Sequence, residues 1–242
     1  MEAPIMEHAK RFPWNDFPDV LIHASEQHVK QHPSYQQSKS GDVIASVRLI
    51  LDSLSYELVD RMSREFGSQA PVLLPVLAEE SAGMNAIPRA MAEVLAHLLR
   101  WNVEERVFQA NVVGHTGSSG FVRLANQAIF RGHVESGLHY VLVDDFIGQG
   151  GTLANLRGHI LGQGSQILGA SVLTGKAHSA TLTPTGNQLV ELRRKHGTIE
   201  FWWRQRFGFG FDCLTASEAR YLIQTSTSER VIERLEEVGG GG

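Results

Sequence analysis

Two adjacent carboxylates, Asp144 and Asp145, follow the apolar run Tyr140–Val143 and precede Phe146, Ile147, Gly148, Gln149, Gly150, Gly151 and Thr152. Glycines allow positive φ and close approach of the backbone to a ligand. A glycine turn that opens a helix aligns successive N–H groups with the positive end of the helix dipole, which makes an anion cradle. Thr152 adds a hydroxyl. The two acids cannot both face that anion, because they would repel it. They suit a neighbouring diol, each accepting from a hydroxyl, or a cation held between them. Phosphate beside a vicinal diol describes a ribose 5-phosphate. Two other glycine motifs fit poorly. "GQGGTL" lacks the Lys-Ser/Thr of a P-loop, and Leu153 stands where a dinucleotide fingerprint needs its third glycine.

The stretch "VLVDDFIGQGGT" closely resembles the signature of type I phosphoribosyltransferases, which bind 5-phosphoribosyl 1-pyrophosphate (PRPP). The resemblance covers about residues 70–180. It implies that the turn from Phe146 to Thr152 binds PRPP, its glycines and Thr152 holding the 5-phosphate. Asp144 and Asp145 would be the catalytic acids, contacting the ribose hydroxyls and an Mg²⁺ ion. The loop after the preceding strand, with Glu80, Ser81, Ala82 and Gly83, would hold pyrophosphate. The Gly/Ser-rich "GHTGSSGFVR" would be the flexible loop that closes over the reaction, with His115, Ser118 and Arg123 reaching substrate. Lys176, 31 residues after Asp145, matches a lysine that meets the exocyclic oxygen of a 6-oxopurine. Phe209 and Asp212 match the types with which a hood stacks on the base and reads its edge. One departure stands out: Gly148 occupies a position where 6-oxopurine enzymes often carry an acid.

The expected activity is transfer of phosphoribose from PRPP to a nitrogenous base, such as a purine in salvage, with release of pyrophosphate. The alternative is a PRPP- or nucleotide-binding regulatory protein with weak or no catalysis. A third reading is a carrier or interaction protein. A homodimer is the expected assembly, since dimers are usual in the family.

These residues need elements to position them. "PVLLPVLA", "YVLVDD" and "ILGASVLTG" are short apolar runs that fit parallel strands buried on both faces. Pro88 opens a helix to about Arg100, Thr152–Leu161 forms a second, and Asn187–Lys195 a third. Val43, Val47, Ile50, Leu51, Leu54, Leu58, Met62 and Phe66 recur at spacings of three and four. They predict one helix face, with Asp42 as cap and Gly67 as stop. "ERVFQANVV" and "LANQAIFRGHV" read as extended segments. Alternating strands and helices imply an α/β fold, a mainly parallel sheet flanked by helices, with a small hood. Ligands of such sheets sit at the carboxyl ends of the strands, which is where both acids fall.

The expected organisation is an irregular N-terminal arm over residues 1–40 with a short helix near Val20–Lys30, a core over 41–200, C-terminal hood helices over 201–238 and a glycine tail over 239–242. The chain has 242 residues and a net charge of −4, so no global basic field points to nucleic acid. No run of 18 apolar residues suggests a membrane span. Cys213 is the only cysteine, which excludes an internal disulfide and favours a cytoplasmic setting. The eleven histidines lack the acid or cysteine partners of a zinc site.

Overall fold

The computed structural model describes residues 8–80, 83–112 and 120–239. Strand β1 (Leu21–Ala24) leads into helices α1 (Glu26–Gln31), α2 (Tyr35–Lys39), α3 (Val43–Ser53) and α4 (Tyr56–Phe66). Strand β2 (Val72–Pro75) precedes α5 (Ile87–Leu99) and β3 (Asn102–Val103). Helix α6 (Gly120–Ala125) precedes β4 (His139–Ile147), α7 (Gly151–Leu161) and β5 (Gln166–Gly175). Helices α8 (Gly186–His196), α9 (Glu200–Phe207), α10 (Ala216–Gln224) and α11 (Ser228–Gly239) follow. The five strands form one parallel sheet in the order β1-β5-β4-β2-β3.

Strand β4 lies at the centre because its side chains are apolar towards both faces. Val141 and Val143 enter one core with Leu49, Ile50, Met62, Met91 and Leu95. Tyr140 and Leu142 enter the other with Leu153, Leu156 and Ile160 of α7. That alternation is the two-residue period of a strand, and helices cover both faces, as a parallel sheet requires. The α/β class follows from the sheet itself. No helix among the described residues is long and apolar enough to cross a membrane.

Several sequence expectations change. Residues 8–40 are not an irregular arm with one helix: Leu21–Ala24 is the edge strand, paired to β5 through Leu21–Ser171 and Ala24–Thr174, and α1 and α2 follow it. The strand is hard to read because it is short and carries a buried histidine. The helix expected from Asp42 to Gly67 is two helices. Asp42 caps the first, accepting the Ala45 N–H at 2.9 Å, and Ser55 caps the second, accepting the Leu58 N–H at 3.4 Å. The break shifts the buried face, so Leu49 and Ile50 are buried while Val43, Ile44 and Leu51 are exposed. The segment "LAN" lies at the end of α6 rather than in a strand. Among the described residues the two extended segments form one short antiparallel pair, Phe108–Gln109 with Phe130–Arg131, extended by Ala110 N–H donating to Ile129 O at 2.7 Å. The C-terminal aromatics form a third core, in which Trp203, Phe207 and Phe211 pack with Phe121 and Leu124 of α6 and Leu192 of α8.

His23 shows how β1 is held. Its Nδ1 accepts the Ser55 N–H at 3.1 Å, so the ring proton sits on Nε2 and donates to Ser171 Oγ at 2.9 Å. Burial lowers its pKa from 6.5 to about 4. The neutral ring fits the fold, so the stability it supports is present above pH 6.5 and is lost as pH falls towards 4, up to about 3 kcal/mol. Urea unfolding near pH 7.5 and near pH 4.5 is expected to show a larger acid loss for the natural chain than for His23→Gln. Equal losses would contradict this role for His23.

Candidate functional site

Strand β4 outruns its neighbour. Its register with β2 ends at Pro75–Val143, whereas its register with β5 continues through Asp144–Val172, Phe146–Thr174 and Ile147–Gly175. The acids therefore lie inside the strand, just beyond the end of β2. Past Ile147 the chain turns through Gly148 and Gln149 to Gly150, which has φ +81° and is the N-cap of α7. An added Cβ there would lie 2.3 Å from the Leu182 side chain, so both conformation and space demand glycine. With glycine as the cap, no side chain caps the helix. The first amides of α7 have no intrahelical carbonyl partner either. At the same turn, Gln149 Oε1 is buried with no hydrogen-bond partner among the described residues. The Gln149 oxygen is an acceptor, so the unpaired donors of the turn are the first backbone amides at the positive end of an eleven-residue helix.

The two acids differ sharply. Asp144 is buried and folds back to accept the Asp145 N–H at 2.8 Å. Burial, and then the charge of Asp145, raises its carboxyl well above the usual carboxylate range. Asp145 reaches the other way and meets Lys39 Nζ of α2 at 3.0 Å, with 14% and 18% of the two side chains exposed. The sequence reading did not find Lys39. It lies 106 residues from Asp145, and no local pattern connects them. Helix α2 is itself anchored to the chain after β2, where Ala86 N–H donates to Ser38 O at 3.2 Å. Two acids with one oxygen committed to the backbone do not make a complete metal cage. Among the described residues no cluster of three metal-ligating side chains occurs. Asp145 is the one carboxylate of the two turned away from the strand, so a divalent cation here would take most of its ligands from water and from substrate oxygens.

The other expected site residues fall into three groups. The first stands at the site. Arg123 sits on α6 rather than in a loose loop, since Phe121 and Leu124 anchor that helix in the C-terminal core. A Cβ at Gly148 would lie 3.1 Å from Arg123 Nη1, which brings the guanidinium to the turn. Lys176 is exposed at the end of β5, and its backbone N–H donates to Ile147 O at 3.1 Å. Phe146 carries over its ring the Lys30 ammonium of α1, a residue the sequence reading did not name, at 5.1 Å from the centroid. Thr152 is in the first turn of α7, half-buried. The second group is elsewhere. Ile147 is buried in the core. Phe209 cannot stack on a base in this structure: it is 4% exposed, packed against Trp203 and Phe207, and covered by the Arg11 guanidinium at 4.7 Å. Its aromatic run makes core, which is the commoner use of such a run. Asp212 meets Arg204 at 3.4 Å and Arg193 at 3.9 Å. The third group lies outside the described residues: Ser81, Ala82, His115 and Ser118. The backbone on either side of Ser81 and Ala82 forms a short antiparallel pair, Glu79–Met84 and Glu80–Gly83.

Behind the turn stands an ion pair that the sequence reading also missed. Arg11 Nη1 meets Glu218 Oε2 at 2.6 Å and Nη2 meets Oε1 at 3.0 Å, with 2% and 3% of the side chains exposed. Arg11 Nε donates to Asn155 Oδ1 of α7 at 2.6 Å, and Nη2 donates to Gly151 O at 3.4 Å. Thr215, the cap of α10, donates to Gln149 O at 2.5 Å. The N-terminal segment, α7 and α10 are thereby fastened to one side of the glycine turn.

No family model matches the chain. It is 36% identical over 228 residues, 94% of its length, to Protein TraN of Escherichia coli, and 36% identical over 152 residues, 62% of its length, to an uncharacterized protein of Haemophilus influenzae. It spans 51% of the first relative and 34% of the second. Among solved structures it is similar to an adenine phosphoribosyltransferase at TM-score 0.37 and 13% identity, covering 62% of this chain and 75% of that one. An adenine phosphoribosyltransferase from Saccharomyces cerevisiae gives 0.36 and 13%, over 62% and 74%. A hypoxanthine phosphoribosyltransferase from Trypanosoma cruzi gives 0.29 and 12%, over 67% and 80%. Those scores are too low to carry an argument about this chain.

Removing one partner of a buried pair leaves an uncompensated charge and costs about 3–5 kcal/mol. Arg11→Met is therefore expected to lower unfolding stability by about that amount, and Arg11→Met with Glu218→Leu by less. Denaturant titration of the three chains checks this. A single variant within about 1 kcal/mol of the natural chain would contradict the clamp.

Proposed function

We propose that the chain binds PRPP with Mg²⁺ and transfers its phosphoribosyl group to a nitrogenous base, releasing pyrophosphate. One observation supports the reading: the paired acids near the end of the central strand are followed, within one short turn, by Gly150, a glycine of positive φ that opens a helix with no side-chain cap. The amides of Gly150, Gly151 and Thr152 hold the 5-phosphate, and the guanidinium of Arg123 flanks it. Asp145 accepts from the ribose hydroxyls and stabilises the ring as it becomes cationic. Mg²⁺, when bound, offsets the charge of the departing pyrophosphate. Asp144, buried and easily protonated, fixes the backbone of Asp145 rather than meeting the sugar. Lys176 stands where an acceptor base would be received.

A second reading is a PRPP-binding protein without turnover. Two observations favour it: Asp144 is turned into the strand, and Phe209, the expected base platform, is in the core.

Titration calorimetry with PRPP and Mg²⁺ tests both readings, and heat of binding is expected. Absence of heat would overturn both. Pyrophosphate release with a panel of purine and pyrimidine bases separates them, since turnover is expected only from the enzyme. Under the enzyme reading, Asp145→Asn lowers turnover at least tenfold, about 1.4 kcal/mol of barrier. Unchanged turnover in that variant would remove the role given to Asp145.

A further inference from the structure

The helix α2 places a cation where the proposed ligand must act. Lys39 Nζ lies 3.0 Å from Asp145 Oδ2, and both side chains are mostly withdrawn from water. A carboxylate engaged by an ammonium attracts a divalent cation less strongly, because the metal must displace the lysine or share the oxygen with it. The helix that carries Lys39 is not free to swing far. Ser40 N–H closes its end on Gln36 and Gln37 carbonyls, and Ser38 O accepts from Ala86 at the start of α5. Gly41, with φ +102°, packs so closely that a Cβ there would lie 3.2 Å from Met84 O. A lysine displaced from Asp145 therefore remains beside the acids and beside the chain that follows β2.

We infer that Lys39 is a further ligand-binding residue of this site: it holds Asp145 in the free protein and passes to the pyrophosphate oxygens when a metal-bound PRPP arrives. The inference rests on the PRPP reading given above. On this reading a ligand carrying both a metal and phosphates suits the site better than the metal alone. The metal takes the carboxylate, and the phosphates take the released ammonium. A lysine is apt for this exchange because its charge is compact and its stem flexible. Charge-assisted contacts to phosphate are among the stronger hydrogen bonds.

The test compares Lys39→Met and Lys39→Arg with the natural chain, using Mn²⁺ alone followed by electron paramagnetic resonance, and PRPP with Mg²⁺ followed by calorimetry. Thermal unfolding confirms that each variant folds. Lys39→Met is expected to bind Mn²⁺ alone several-fold more tightly and PRPP with Mg²⁺ about tenfold more weakly, while Lys39→Arg retains most PRPP affinity. A Lys39→Met chain that matches the natural one in both titrations overturns the role of Lys39 and leaves the PRPP reading intact. So does one that weakens both metal and PRPP together, as a merely structural defect would. A natural chain that takes up no PRPP overturns the reading and the inference with it.

Discussion

Two opposite charges removed from water together, Arg11 and Glu218, decide how the rest of the chain meets the glycine turn. Neither could be buried alone. Paired through two hydrogen bonds, they draw in groups from distant parts of the sequence: Asn155 and Gly151 of α7, and Thr215 at the cap of α10. Glu218 also accepts the Thr215 N–H at 2.8 Å, so its charge is committed to the arginine and to its own helix cap. The carboxylate lies against Gly151 from one side, where a side chain would collide with it. The negative group nearest the start of α7 is thus already neutralised. The clamp fixes the turn through carbonyl oxygens, Gly151 O and Gln149 O, and leaves the first amides of α7 unused.

The same strand handles two neighbouring carboxylates by separating their surroundings. In an extended chain adjacent side chains leave on opposite faces. Asp144 goes inward, where desolvation makes the neutral acid easier to keep. Asp145 goes towards α2, where a lysine offsets it. Two fully ionised acids a few ångströms apart would strain the strand electrostatically. One buried and one paired do not. The two acids thereby differ in what they hold: Asp145 pairs with Lys39, and Asp144 fixes the backbone N–H of its neighbour.

How much of this could be read from the residues depended on distance along the chain. The strand "YVLVDDFI", the glycine turn and α7 were legible because apolar patterning, glycine and the helix start all act within a dozen residues. Asp42 as a cap was legible for the same reason. The break at Ser55 was signalled by a capping serine that the hydrophobic spacing obscured. Strand β1 was not legible, because the burial of His23 depends on Ser55 and Ser171, which the fold supplies from elsewhere. Lys39, Arg11 and Glu218 gave no local sign at all. Their partners are 106 and 207 residues away, and only tertiary structure joins them. The aromatic run around Phe209 carried a true signal of burial, which the family likeness had drawn towards a ligand role.

The most direct measurement is of the backbone amides themselves. In an ¹⁵N-labelled chain titrated with PRPP and Mg²⁺, the resonances of Gly150, Gly151 and Thr152 should move most, saturate together with Asp145, and move less with ribose alone. Saturable shifts confined to other segments, with those three amides unchanged, would contradict the account.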